Sequence, residues 1–79
     1  VGSRVTVRYW AGARRAAGLH SEEIAADDLA DLRRLLAARA GMAEIVAASS
    51  LLVDSVAGRD DEPLPDGAVV DVLPPFAGG

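Results

Sequence analysis

The chain closes on Pro74-Pro75-Phe76-Ala77-Gly78-Gly79. Neither glycine carries a side chain, so chemistry at this end belongs to the Gly79 carboxylate. A carboxylate is a poor acyl donor until it is turned into a mixed anhydride; the carbonyl is then electrophilic, and a nucleophile displaces the activating group. The residues ahead of it make a slim, restricted tail. Gly78 lacks a Cβ and reaches backbone angles closed to other residues. Pro74 and Pro75 restrict the chain where it leaves the last strand, so less entropy is lost when it is ordered. Phe76 adds a single aromatic ring that could serve as an anchor.

Few other residues compete for a chemical role. There is no Cys, which excludes disulfides, thiolate catalysis and cysteine–zinc sites. The single histidine, His20, argues against a histidine-built metal site and reads as a surface strand residue. Asp60, Asp61 and Glu62 form an acidic run in a charged loop without matching ligands, so they read as solvated. Every basic residue is Arg, which removes lysine Schiff-base chemistry. The net charge of −4 disfavours nucleic acid as a partner. No apolar run approaches the ~20 residues of a membrane span and no signal peptide is recognised, so a cytoplasmic protein without a membrane partner is expected.

The tail needs a scaffold, and 79 residues with 51% apolar content allow one small folded domain. R4-V5-T6-V7-R8-Y9-W10 alternates with strand periodicity, placing Val5, Val7 and Tyr9 on the core face. Trp10 falls on the wetter face. The Ala-rich segment 11–18 predicts a turn or one short helical segment, and 19–25 a weaker strand that pairs with the first. Residues 28–41 give the clearest helix, with Asp28 as N-cap, Asp31 in the first turn, Arg39 in the last turn and Gly41 just past the end. Leu29, Leu32, Leu36 and Ala40 make its apolar stripe, widened by Leu35. Residues 42–48 predict a short second helix or turn, 51–53 a third strand, Asp54-Ser55 a turn, Val56-Ala57 a short return strand, and P63-L64-P65-D66-G67 a turn cluster. In the final strand, 68–73, Ala68, Val70 and Val72 face the core, while Val69, Asp71 and Leu73 lie on a face that Asp71 marks as wet.

One helix packed across one mixed sheet is the economical solution. The expected fold is therefore α+β: a β-grasp, or ubiquitin-like, domain over residues 4–73 with four to five strands and one main helix. A flexible functional tail follows at 74–79. The first and last strands are both rich in β-branched residues and are expected side by side at the sheet centre. That would bring Trp10 near Leu73 on the open face.

The first strand with its Ala/Arg-rich continuation, the helix 28–41, the P63-L64-P65-D66-G67 turn and the P74-P75-F76-A77-G78-G79 ending together resemble the MoaD/ThiS family of ubiquitin-like sulfur carriers. The likeness runs from about residue 4 to the end and lies nearest the small subunits of molybdopterin synthase. It implies a carrier without catalytic residues or a bound cofactor of its own. A MoeB/ThiF-like adenylating partner would spend ATP on Gly79, and a rhodanese-type or cysteine-desulfurase-type sulfur donor would supply the atom that makes the thiocarboxylate. The tail, Pro74, Pro75, Phe76, Ala77 and Gly78, would enter a MoaE-like large subunit, where a pterin precursor takes the sulfur for the molybdenum cofactor. The resemblance also implies a partner interface at Trp10, Ala57 and Leu73; family members often carry a bulkier apolar residue where this chain has Ala57. Sulfur delivery to thiazole (thiamine), cysteine or tRNA, and a ubiquitin-like module for protein conjugation or interaction, are the alternatives.

Overall fold

The alternating segment at the start of the chain forms a strand, β1 (Ser3–Tyr9), followed directly by helix α1 (Ala11–Ala17). The computed structural model describes residues 2–75. The chain continues through β2 (Ser21–Ala26), α2 (Leu29–Ala37), α3 (Ala43–Ala48), β3 (Ser50–Val53), β4 (Val56–Ala57) and β5 (Val69–Leu73). The strands form one sheet in the order β2-β1-β5-β3-β4. β1 and β5 run parallel at its centre, and the other pairs are antiparallel. This is the β-grasp arrangement expected from the sequence, with its longest helix, α2, supplying three leucines to the core.

One apolar cluster fills the helical side of the sheet. Val5, Val7 and Tyr9 of β1 and Val70 and Val72 of β5 meet Leu29, Leu32 and Leu36 of α2, with Ala13, Ala26, Met42, Val46, Leu51, Leu64 and Ala68 completing it. Burying a leucine side chain contributes roughly 1.5–3 kcal/mol over leaving it in water, so these three residues hold α2 far more firmly than helix propensity would. Asp28 caps α2 as expected: its Oδ1 accepts from the Asp31 backbone N–H at 2.8 Å.

The end of α2 differs from expectation. The helix stops at Ala37, Ala40 is exposed, and Arg39 lies beyond the last turn. The Arg39 N–H bonds to the Leu36 carbonyl, three residues back, so the chain tightens out of the α-helical ladder. Gly41 takes a left-handed φ of 78° in the turn between the two helices rather than at a C′ position. The early turn directs Met42 into the core, where a prolonged helix would have offered only Ala40.

The strand limits shift slightly. β1 starts at Ser3, and a Cβ on Gly2 would lie 2.7 Å from the Ala26 backbone, so the strand's entry is tightly packed. β2 begins at Ser21, leaving Leu19 and His20 exposed in the connection. The two short turns are anchored at the sheet. Asp54 and Ser55 both have positive φ, 49° and 71°, as a two-residue type I′ hairpin between β3 and β4 requires. Asp54 also accepts from the Val69 N–H at 2.9 Å and donates its own N–H to the Val69 carbonyl at 2.8 Å. Gly67, with φ 83°, completes the Pro65–Ala68 turn, and Asp66 accepts the Arg4 N–H at 2.8 Å. Register between the two central strands is thereby fixed from the end of β5 opposite the tail.

Candidate functional site: the tail root and the open sheet face

β5 delivers the chain to the tail. Val70 and Val72 point into the core, so Asp71 and Leu73 lie on the open face, and Pro74 and Pro75 follow without regular structure. The expected tail residues Phe76, Ala77, Gly78 and Gly79 lie outside the described residues. Trp10, the residue after β1, stands beside this exit because β1 and β5 run parallel with Tyr9 opposite Val72. Trp10 and Leu73 line the same groove, as the expected strand adjacency required.

Asp71 is the residue the sequence reading undervalued. It lies on the open face, yet is only 6% exposed. Arg8, its register partner on β1, donates to it twice, Nε to Oδ1 at 2.7 Å and Nη2 to Oδ2 at 3.0 Å. Trp10 donates its indole N–H to the same Oδ1 at 2.9 Å. The guanidinium carbons of Arg8 and Arg14 each lie 5.6 Å from the Trp10 ring centroid, within cation–π range. Arg14 also donates to the Tyr9 carbonyl at 3.2 Å. The 39%-exposed indole is therefore held in a fixed pose. The Arg8 hydrogen bond, reinforced by the Trp10 N–H, keeps the Asp71 carboxyl below its usual range despite burial. The signal was present in the sequence: aligning V5-V7-Y9 with V70-V72 as parallel neighbours puts Arg8 opposite Asp71.

Ala57 occupies the same face at some distance. Arg8, Asp71, Leu52 and Ala57 follow one another across four strands in register. Ala57 is exposed on edge strand β4, two strands from β5. The three expected interface residues thus share a face, but only Trp10 and Leu73 adjoin the tail exit. His20 is exposed, with its carbonyl accepting the Tyr9 N–H at 2.8 Å, and Asp60 and Asp61 are engaged by Arg33 and Arg59.

A second polar cluster secures the frame. The Tyr9 hydroxyl donates to Glu22 at 2.6 Å, and Arg39 forms an ion pair with the same carboxylate, with Nη2–Oε1 at 2.8 Å. Arg39 holds Glu22 below its usual range, and burial followed by the Glu22 hydrogen bond pushes the Tyr9 phenol well up. Arg39, expected to act on a helix terminus, instead ties the α2–α3 connection to β1 and β2.

Between α1, α3 and the end of β5 lies an open groove of about 1120 Å³. Gly12 and Ala16 of α1, Ile45 and Ala48 of α3, and Leu73 and Pro75 of the exit make its walls mainly apolar. Ala11 enters α1 with a positive φ of 48°, a strained angle for a residue with a Cβ, immediately after Trp10. The groove and the place of Ile45 in it depend on how two short helices meet, which no local sequence pattern specifies.

The strand order and the helix packed across the sheet define a ubiquitin-like β-grasp domain, with central strand β5 leading into Pro74-Pro75. Residues 7–79 match the model of the ThiS family, and the chain belongs to that family of ubiquitin-like sulfur carriers. Among solved structures, it is similar to a protein assigned as molybdopterin converting factor subunit 1 from Pyrococcus furiosus, at 27% identity and TM-score 0.80, covering 94% of this chain and 99% of that one. It is similar to a chain of the complex of molybdopterin-converting factor subunits 1 and 2 from Helicobacter pylori, at 28% identity and TM-score 0.76, covering 96% and 99%. Small archaeal modifier protein 1 from Methanosarcina acetivorans shares the fold, with TM-score 0.83 over 100% and 99% of the chains at 19% identity. Comparison with the curated proteins finds no sequence match. Among the described residues no helix is long and apolar enough to cross a membrane.

Proposed function

We propose that this protein carries sulfur as a thiocarboxylate on Gly79 and serves as the small subunit of a molybdopterin synthase. The observation that carries the reading is the direct run from central strand β5 into the Pro74-Pro75 exit, in a chain whose family match extends to Gly79. The Gly79 carboxylate attacks the α-phosphate of ATP on an adenylating partner, releasing pyrophosphate and leaving an acyl adenylate. Hydrosulfide, or a donor's persulfide whose S–S bond a thiol afterwards reduces, then attacks the carbonyl; AMP departs and the thiocarboxylate remains. Adenylating groups, sulfur donor and pterin pocket belong to partners; this chain contributes the acyl terminus, the slim Gly78 beside it, and the tail from Pro74 to Ala77 that enters a large subunit. The Helicobacter pylori neighbour, a complex of two subunits of molybdopterin-converting factor, supports a large-subunit partner.

Trp10 and Leu73 form the part of the interface that meets partners beside the tail, and Asp71 holds Trp10 in position for that contact. Ala57 contributes a shallow, non-anchoring site at the edge of the same face.

The test is intact mass after incubation with ATP, an adenylating enzyme and a sulfur source. Replacement of one oxygen by sulfur at Gly79 is expected, followed by sulfur transfer to a pterin precursor on adding the large subunit. Deleting Gly79, or extending the chain past it, abolishes transfer while the thermal midpoint stays unchanged. High-mass adducts would instead indicate protein conjugation, and transfer by a blocked terminus would remove the mechanism. A thiocarboxylate that is formed but passes sulfur only to a thiazole, cysteine or tRNA system would keep the carrier and reject the pterin assignment.

A further inference from the structure

The groove between α1 and α3 has mainly apolar walls and is open to solvent. Its border includes Pro75, the last described residue, so the next side chain along the chain, Phe76, originates at the groove's edge. Consecutive Cα atoms are about 3.8 Å apart, and the four residues 76–79 reach at most about 14 Å. Phe76 is the chain's only phenylalanine. The groove walls include Ile45, Ala16, Ala48 and Leu73, the kind of surface an aromatic ring leaves water to cover.

Charge selects the same occupant. Arg15 lines the groove from α1, and Glu44 lines it from α3. Every other arginine donates a hydrogen bond, whereas Arg15 has neither a hydrogen bond nor an ion pair among the described residues. A groove bordered by one uncommitted cation and one carboxylate gives an anionic terminus a single favourable side. A tail with its ring against Ile45 places its negative end toward Arg15 and away from Glu44.

We propose that the groove is a docking site for the chain's own tail, with Phe76 seated against Ile45 and the Gly79 carboxylate beside Arg15 whenever no partner holds the terminus. Docking is reversible and competes with insertion into a partner channel. The inference concerns regulation of the terminus used in the proposed function, but its test involves no sulfur chemistry, so the two fail separately.

The measurement is isotope-edited NMR on the full chain in dilute solution, observing contacts between the Phe76 ring and the Ile45 δ-methyl. A cross-peak is expected, with the docked population reduced about two- to five-fold in Arg15→Glu, the range of one exposed ion pair. Arg15 is exposed and outside the core, so the variant should retain the wild-type thermal midpoint. Absence of the cross-peak overturns the inference, as does a cross-peak equally strong in Arg15→Glu. A contact seen only between differently labelled molecules in a mixed sample also overturns it, because the occupant is then a second copy.

Discussion

Asp71 shows how much depends on a single carboxylate in the centre of the open face. It receives two hydrogen bonds from Arg8 and one from Trp10, so the position of the indole at the tail exit rests on an anion buried beneath it. Removing the carboxylate leaves the indole N–H and the guanidinium without their partner, at a cost of about 1–3 kcal/mol. Asp71→Ala is accordingly expected to lower the urea midpoint and shift the emission of the only tryptophan to the red as its ring loosens into water. Unchanged emission would mean that the two arginines alone fix Trp10. Alternation identified Trp10 and Leu73 as open-face residues, but the same alternation made Asp71 look solvated. Periodicity assigns a residue to a face; burial on that face comes from neighbours on other strands, here an arginine 63 positions away in the chain.

At the scale of elements, local chemistry and tertiary packing can be separated along α2. Its start is written locally: Asp28 offers a side-chain acceptor, Asp31 follows three residues later, and the leucines recur at helical spacing. Asp28→Ala should therefore destabilise the protein by about 1 kcal/mol, the usual value of an N-cap bond, read as a reduced urea midpoint at unchanged slope. Leu36→Ala should cost about 2–5 kcal/mol, because it empties a site at the centre of the core. A smaller loss at Leu36 than at Asp28 would contradict the view that packing, rather than propensity, holds this helix. The end of α2 was less legible. Gly41 is a sound stop signal by type, yet the helix ends four residues earlier because Met42 must reach the core and Arg39 must reach Glu22. Both demands come from distant parts of the chain. The groove escaped sequence reading for the same reason: the segments of α1 and α3 each read as a turn or a short helix, and nothing local states that they leave a gap.

For the whole molecule, the adjacency of the first and last strands at the sheet centre was legible because β-branched alternation at both ends of the chain, one amphipathic helix and a tight Pro-Asp-Gly turn leave few ways to cover a single helix with a sheet; the parallel direction of that pair and the places of β3 and β4 came from the structure. Less visible were the ionic ties that close this small frame, and they set its response to pH. Among the described residues, three carboxylates lie below their usual range: Glu22 through Arg39, Asp71 through Arg8, and Asp31 through the Asp27 backbone N–H and then Arg34. In the unfolded chain these groups take up protons near pH 4, before their folded counterparts do. Their stabilisation is complete above that range and is lost as pH falls through the lower folded values, since the unfolded state then binds more protons. Tyr9 acts in the opposite direction. Its phenol titrates higher when folded, so its contribution holds below about pH 10, the ordinary tyrosine value, and declines as pH rises beyond it. Stability measured by urea unfolding should thus form a plateau through neutral pH with a fall on each side. Glu22→Gln should shrink the acid fall, because it removes one depressed carboxylate, and should lower the plateau, because Arg39 loses its ion pair. An acid limb of unchanged steepness in that variant would show that Glu22 contributes no linkage and that the tie among β1, β2 and the α2–α3 connection is electrostatically silent.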